Sequence, residues 1–395
     1  MISDTQKFFI KILESYFSDE KIMPPPCVDF SAIAEISKKH EVASLVYSIA
    51  KNSNIIPLME ALQEHFAASA YHSINNMYEH EKVMRGLLDV GVKVIPIKGI
   101  VLQQYYKNEI DRSMGDIDIL IDVGDVEKIK LVFTNLCYHL KKNSVEELKY
   151  VKSGTIYELH DRLIHTTYAV DDELQQMFFN DFWKYTEDTL EGNLLNWNVH
   201  LLFLFNHLGK HLRIEGAGFR QFLDIAVMIH FHNDLCDWKW IIEKAKKIHI
   251  YDFMITVLAF CKRWFEISIP IEVPDIGVEF YEYATEMILE NGVFGYGNED
   301  NGLADIEKNS HRYPMWISRV FSIKQIVFPS YNNLVTSSKY DELKGKPWKL
   351  PIVWIKRGWN ALKWNKKGIE TVKRMIVVDS TVIEKRKNYL NHWGL

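Results

Sequence analysis

The chain has 395 residues, 47% of them hydrophobic and 25% charged, with a formal net charge of −5. This length supports two or three compact units with substantial cores, and the composition is typical of a soluble globular protein. No stretch reaches the ~18 apolar residues of a membrane span, and the first residues do not resemble a secretory signal. Four well-separated cysteines without a CxxC pair predict buried thiols in a reducing cytoplasm, and neither a disulfide framework nor a zinc site.

The charge is distributed unevenly along the chain. Residues 339–395 contain fourteen Lys or Arg against five Asp or Glu, a local charge of +9, and five of the eleven tryptophans. Basic residues interleaved with aromatic ones are typical of a segment that binds an anionic partner such as nucleic acid, polyphosphate or a membrane surface. The simpler alternative, which we prefer from sequence, is a positive segment folded back onto an acidic body.

Residues 1–90 are predicted to form an N-terminal helical region. Apolar residues recur at helical spacing in its first and last thirds, and the Pro24-Pro25-Pro26 run predicts a short stiff connection after the first helix.

The apolar period changes at Gly91, and residues 91–170 are predicted to form a small mixed α/β unit. We expect Asp125 to cap the helix of this unit with its carboxylate. The predicted elements are a strand over 92–97, a helix from 98 to about 106, a loop over 107–115, a strand over 116–123, a helix through 136, short strands around 138–142 and 147–152, and a strand over 155–163.

From Asp171 onward the pattern is helical again, which predicts a helical domain over 171–290 and a C-terminal region over 291–395. The glycine-rich stretch 291–298 is predicted to be a loop. The fold class is therefore α+β, with a small mixed sheet flanked by helical regions. The predicted helices of the domain are 194–212, 219–231, 241–248, 252–264 and 278–290.

Two carboxylates, Asp116 and Asp118, stand one residue apart in an apolar strand. Side chains of a strand alternate between faces, so both carboxylates point the same way, about 7 Å apart. Such a pair repels itself unless a cation joins it, which favours a Mg²⁺ site that also holds phosphate oxygens, with Mn²⁺ as the alternative ion. We predict Glu158 as the third acid, with Asp161 as the alternative; His160 shares the face of Glu158.

The turn Lys98-Gly99 precedes this pair and opens a helix. Gly99 would let backbone N–H groups approach a phosphate at a helix N-terminus, and Lys98 and Arg112 could neutralise phosphate charge. An Asp-x-Asp alone is common and is more often a solvated strand edge. The order strand, Lys-Gly turn, helix, Arg, Asp-x-Asp is what makes the site prediction specific.

These motifs resemble the bacterial group of uncharacterised nucleotidyltransferases within the superfamily related to DNA polymerase β. The usual superfamily turn is Gly-Gly or Gly-Ser, whereas Lys98 takes its first position, as in this group. The resemblance covers about residues 30–365. It is carried by Lys98-Gly99, Tyr105-Tyr106, Arg112, Asp116–Ile121, Glu158-Leu159-His160, His207, His211, Asp224-Ile225-Ala226, Phe328-Pro329 and Lys346–Trp354.

The resemblance implies an enzyme that transfers a nucleoside monophosphate from an NTP to an acceptor and releases pyrophosphate. Asp116, Asp118 and Glu158 would hold the metal, and Lys98, Gly99 and Arg112 would contact the triphosphate. Lys210 and Arg220 could also meet the triphosphate, or could be ordinary solvated helix residues. His207 and His211, four residues apart on a helix, are expected to line the substrate site or stabilise the fold rather than bind zinc. Asp224 is expected to pair with a base or cap a turn.

Two alternatives stay open at this point. A degenerate core could bind nucleotide or a partner without catalysis, or the chain could be a toxin-like enzyme acting on tRNA. The acidic body argues against a nucleic-acid acceptor, although the basic tail keeps that acceptor open. The resemblance to the family implies a small-molecule, saccharide or peptide acceptor. No Gly-x-Ser-x-Gly, Walker or GxGxxG motif supports a serine hydrolase, P-loop or Rossmann protein. The sequence does not define the oligomeric state.

Overall fold

The computed structural model describes residues 2–143, 147–164, 173–189, 192–214, 216–293, 301–310, 313–331, 334, 338–343, 345–364 and 366–395. Helices precede and follow a five-stranded mixed sheet, which confirms the predicted α+β class. Across these residues, no helix is long and apolar enough to cross a membrane.

The N-terminal region is helical, as predicted. Its first helix begins with a capping box in which Ser3 and Gln6 bind each other's backbone N–H groups. The helix buries Phe9, Ile12 and Leu13 completely against the helical domain, so the two helical regions share one core. The four helices are α1 (Asp4–Ser18), α2 (Phe30–Lys39), α3 (Ala43–Asn52) and α4 (Ile56–Asp89).

The α/β unit contains a sheet with the strand order β1-β2-β5-β4-β3. Strand β2 pairs in parallel with β5, while the other neighbouring pairs are antiparallel. Every residue of β2 is buried, and the strand lies between β1 and β5 in the interior of the sheet. The elements are β1 (Val94–Ile97), α5 (Gly99–Leu102), β2 (Ile117–Ile121), α6 (Val126–Asn135), β3 (His139–Asn143), β4 (Glu147–Lys152) and β5 (Thr155–His160).

Two details of this region differ from the prediction. Asp125 precedes α6, but its side chain makes no cap hydrogen bond and instead pairs with Lys128 at 2.9 Å. A β-hairpin, β6 (Thr186–Thr189) and β7 (Gly192–Leu195), lies where only helix was predicted. The apolar pair at the end of β7 runs directly into the apolar pattern of the following helix, so periodicity did not separate them.

The helical domain follows the prediction closely. Its core joins Phe219 and Phe222 to Trp264, whose ring lies 4.9 Å from each of their rings, centroid to centroid. The helices are α7 (Glu173–Asn180), α8 (Trp197–Ile214), α9 (Phe219–Phe231), α10 (Trp238–Lys247), α11 (Tyr251–Phe265) and α12 (Val278–Asn291).

The C-terminal region is helical, and its last helix joins the main core. Trp393 is fully buried there, and its ring stacks on Phe260 at 4.4 Å between centroids. The end of the basic segment therefore folds back onto the helical domain. The predicted glycine-rich loop lies partly outside the described residues, at 294–298. The helices are α13 (Asn301–Ser310), α14 (Met315–Val327), α15 (Leu350–Trp364), α16 (Lys366–Val377) and α17 (Ser380–Trp393).

A buried histidine makes the stability of this core depend on pH. His40 accepts a hydrogen bond from the Phe219 N–H at 3.2 Å and lies 3.3 Å from the Leu289 carbonyl oxygen. Burial lowers the pKa of His40 to about 4, below the ordinary 6.5. Between pH 6.5 and 4, His40 is therefore protonated in the unfolded chain but neutral in the folded protein. This difference lowers the free energy of unfolding by about 3 kcal/mol as the pH drops from 6.5 to 4.

Urea unfolding at several pH values measures this effect. We expect His40→Gln to be less stable near pH 7 but to lose part of the wild-type decline between pH 6.5 and 4. An unchanged decline in His40→Gln would show that other groups cause it.

Candidate active site

The parallel pairing of β2 and β5 brings two of the predicted acids together. Asp118 lies opposite Glu158 in the register, and the alternation of β5 places His160 on the same face as Glu158, as predicted. One ligand atom from each of these three side chains lies within 4.8 Å of the others. The cluster therefore offers two carboxylates and an imidazole to one small volume.

Asp118 is the buried centre of this cluster. Its carboxylate accepts a hydrogen bond from the Lys98 ammonium at 2.8 Å and lies 2.8 Å from Nε2 of His160. Burial by itself would raise the pKa of Asp118, but Lys98 and His160 together hold it well below its usual range. Asp118 is thus a fixed negative charge.

Asp116 stands at the rim of the cluster, one residue before β2. Burial, together with the charges of Asp118 and Glu158, raises the pKa of Asp116 to about 6. The three predicted acids therefore share one electrostatic site, although the tight group consists of Asp118, Glu158 and His160. Glu158 forms an ion pair with Lys149 of β4.

Asp161, the alternative third acid, is bound to the guanidinium of its neighbour Arg162 at 2.9 Å. Its side chain follows β5 and is not among the three that lie within 4.8 Å. The structure therefore favours Glu158 over Asp161 as the partner of Asp118.

The Lys98-Gly99 turn presents a strained backbone to this site. Lys98 has φ 56° and ψ −127°, a conformation that residues other than glycine rarely adopt. This conformation directs the ammonium to Asp118, while the Lys98 N–H donates to His200 Nε2 at 3.2 Å. At Gly99, an added Cβ would lie 2.6 Å from Nη1 of Arg112, which explains why no side chain fits there.

Substitution of Lys98 separates strain from charge. Lys98→Gly and Lys98→Ala both remove the ammonium, but only glycine relieves the backbone strain. We expect Lys98→Gly to be more stable than Lys98→Ala by about 1 kcal/mol, measured by urea unfolding. Equal stability of the two variants would mean that the turn carries no strain in solution.

Arg112 connects the α/β unit to the helical domain. Its guanidinium donates to both carboxylate oxygens of Asp224 on α9, at 3.2 and 2.9 Å, and Tyr106 donates to the same carboxylate at 2.8 Å. All three side chains are buried. Asp224 thus pairs with a basic residue, which is one of the two roles predicted for it. The predicted contact of Arg112 with a triphosphate stays a prediction.

Arg220 lies near the start of α9 and forms an ion pair with Glu41. Arg220 does not line the cavity beside the acidic cluster. Its predicted contact with a triphosphate also stays untested.

A cavity of about 270 Å³ opens beside the acidic cluster, between the sheet and the helical domain. Its walls combine cationic and histidine side chains with apolar ones such as Phe203 and Phe253. His207 faces this cavity, and its Nε2 lies 3.0 Å from Nε2 of His211 on the next turn of α8. The polar lining includes Lys98, His160, Arg162, His207, Lys210, Arg213 and His249.

Three lining or supporting residues went unpredicted. Arg162 and Arg213 line the cavity, and His200 accepts a hydrogen bond from the Lys98 turn, but none of the three belongs to the motifs that indicate the site. Arg162 lies only two residues after His160, so its position in the sequence indicates that it lies near the site. His200 is paired with a turn 102 residues away, and no local pattern indicates that contact.

The donor set is chemically suited to a divalent cation. Carboxylate oxygens are the preferred ligands of Mg²⁺ and Mn²⁺, and an imidazole nitrogen suits Mn²⁺ better than Mg²⁺. The geometry, with two acidic side chains on adjacent strands beside a basic cavity, fits proteins that handle phosphate esters.

The fold and the cluster define an α+β protein with a candidate metal site on a mixed sheet. The chain belongs to the uncharacterised nucleotidyltransferase family, whose model matches residues 26–266. The match confirms the predicted family, and it ends before the C-terminal motifs at 328–329 and 346–354, whose resemblance stays a prediction together with the bacterial origin. Searches of curated proteins and of solved structures found no match.

Proposed function

We propose that this protein transfers a nucleoside monophosphate from an NTP to an acceptor and releases pyrophosphate. The observation that carries the proposal is the cluster of Asp118, Glu158 and His160 next to the Lys98-Gly99 turn and a basic cavity. Family membership supports the transferase class. The acceptor is proposed to be a small molecule, saccharide or peptide that presents a hydroxyl group.

In the proposed reaction, the acceptor oxygen forms a bond to the α-phosphorus. The bond from this phosphorus to the oxygen that bridges to the β-phosphate breaks, and pyrophosphate leaves with the electron pair. Glu158 is the proposed acceptor of the hydroxyl proton. Lys98, Lys210 and Arg213 would bind the phosphate oxygens from the cavity wall.

Asp116, Asp118 and Glu158 would hold Mg²⁺ or Mn²⁺, with His160 positioned against Asp118. When bound, the ion would neutralise charge on the phosphates. Lys98 already forms an ion pair with Asp118, so the protein itself balances part of the negative charge of the site.

The test is transfer of label from α-³²P NTPs to fractions of a cell extract that contain small molecules, saccharides, peptides or RNA. We expect a labelled product that requires a divalent cation, together with pyrophosphate. Labelling of the RNA fraction alone would replace the proposed acceptor class with nucleic acid.

One observation favours a second candidate, a non-catalytic nucleotide-binding module. The lysines Lys98 and Lys149 already pair with Asp118 and Glu158 and thereby neutralise the acids that should hold the ion. Calorimetric titration with ATP, CTP, GTP and UTP, with and without Mg²⁺, distinguishes the two. Nucleotide binding that is equal with and without Mg²⁺, with no turnover, would favour the module.

A further inference from the structure

The segment 347–360 presents two opposite faces. Its inner face packs on the preceding segment, where Val353 is buried with Leu343, and Trp354 donates through Nε1 to the Pro329 carbonyl at 2.9 Å. Its outer face consists of Trp348, Ile352, Ile355 and Trp359, spaced by four, three and four residues. Ile352, Ile355 and Trp359 thus lie on one side of α15. Trp348 lies in the 3-10 turn directly before this helix and continues the same spacing.

The outer face is unusually exposed for such large apolar side chains. Trp348, Ile352, Ile355 and Trp359 are 70%, 55%, 73% and 62% exposed. The three exposed tryptophans of the described residues, these two and Trp316, all belong to the C-terminal region. Contiguous exposed apolar surface of this kind marks an interaction site rather than the scattered apolar exposure of ordinary surfaces.

Lysines flank this apolar face. Lys346 and Lys356 are both exposed, and Lys356 pairs with the exposed Glu342 at 3.0 Å. The surrounding segment 339–395 carries a charge of +9. An apolar stripe of Trp and aliphatic residues bordered by lysines has the chemistry of an amphipathic helix at a lipid–water interface.

We propose that the outer face of α15 binds the surface of an anionic lipid bilayer. The tryptophans and isoleucines enter the boundary between headgroups and acyl chains, and the flanking lysines contact the anionic headgroups. The charge pattern separates this partner from two others. A second copy in a two-fold dimer would bring two lysine-bordered faces together, and a nucleic acid would gain nothing from Ile352 and Ile355 at the centre of the face.

Vesicle co-sedimentation of the full chain tests the proposal. The probes are vesicles of phosphatidylcholine alone and of an equal mixture of phosphatidylcholine and phosphatidylglycerol. We expect binding to the mixed vesicles with a blue shift of tryptophan emission, and at least about tenfold weaker binding of the Trp348→Ala, Trp359→Ala double variant. The Lys346→Glu, Lys356→Glu variant should lose the preference for phosphatidylglycerol.

The matched control is the double variant Tyr71→Ala, Ile74→Ala, because these side chains are 76% and 59% exposed on α4. It should bind vesicles like the wild type, and an equal loss in both double variants would overturn the assignment to α15. The face would instead bind a second copy of the chain if two results were found together. The wild type would sediment equally with and without vesicles, and it would form a dimer that is lost in the Trp348→Ala, Trp359→Ala variant. Binding to duplex RNA but not to mixed vesicles would likewise overturn the proposal. Unchanged thermal melting of the variants shows that their fold is intact.

Discussion

Asp118→Asn should abolish divalent-cation-dependent turnover of NTPs, lowering the rate by at least about 100-fold. Asp118 is the ionised centre of the cluster, held within 2.8 Å of both Lys98 and His160. An asparagine of the same shape still accepts hydrogen bonds from both partners but brings no negative charge to a cation. The measurement is pyrophosphate release, with far-UV circular dichroism to show that the fold is retained.

The matched control is Asp122→Asn, since Asp122 follows the same strand. Its carboxylate accepts the Gly124 N–H at 2.8 Å, an interaction that asparagine preserves, and its side chain is exposed. We expect Asp122→Asn to keep wild-type turnover. Full activity in Asp118→Asn would contradict a catalytic role for the cluster.

Asp224→Ala should lower the free energy of unfolding by about 3–5 kcal/mol. The change leaves the Arg112 guanidinium, buried and bound to both carboxylate oxygens, without its counter-charge. Tyr106 loses its hydrogen-bond acceptor at the same time. Urea unfolding at neutral pH measures the loss.

The exposed ion pair of Lys7 with Asp4 provides the comparison. Their side chains are 64% and 81% exposed, so water and salt screen the pair. Asp4→Ala should change the free energy of unfolding by less than about 1 kcal/mol. A loss in Asp224→Ala no larger than that would mean that Arg112 can reach solvent or another partner.

The sequence indicated the parts of the site that depend on local pattern. Strand alternation placed Glu158 and His160 on one face, and the apolar run around Asp118 indicated a buried strand. The structure agrees on both points. These predictions succeed because a strand fixes the direction of each side chain through its neighbours alone.

Contacts between distant segments could not be predicted in the same way. The partner of Arg112, Asp224, lies 112 residues further along the chain, so no local pattern indicates that the two side chains pair. The hairpin ending at Leu195 was interpreted as helix because its apolar residues continue into α8. Tertiary pairing decides both cases, and no local spacing encodes it.

Binding of Mn²⁺, followed by electron paramagnetic resonance, tests the central claim most directly. The titration is carried out on the wild type and on Asp118→Asn, with and without a non-hydrolysable ATP analogue. We predict that the wild type binds Mn²⁺ more tightly when the analogue is present and that Asp118→Asn loses this enhancement. Equal binding of Mn²⁺ by the two proteins, with the analogue present, would contradict a metal site at Asp118.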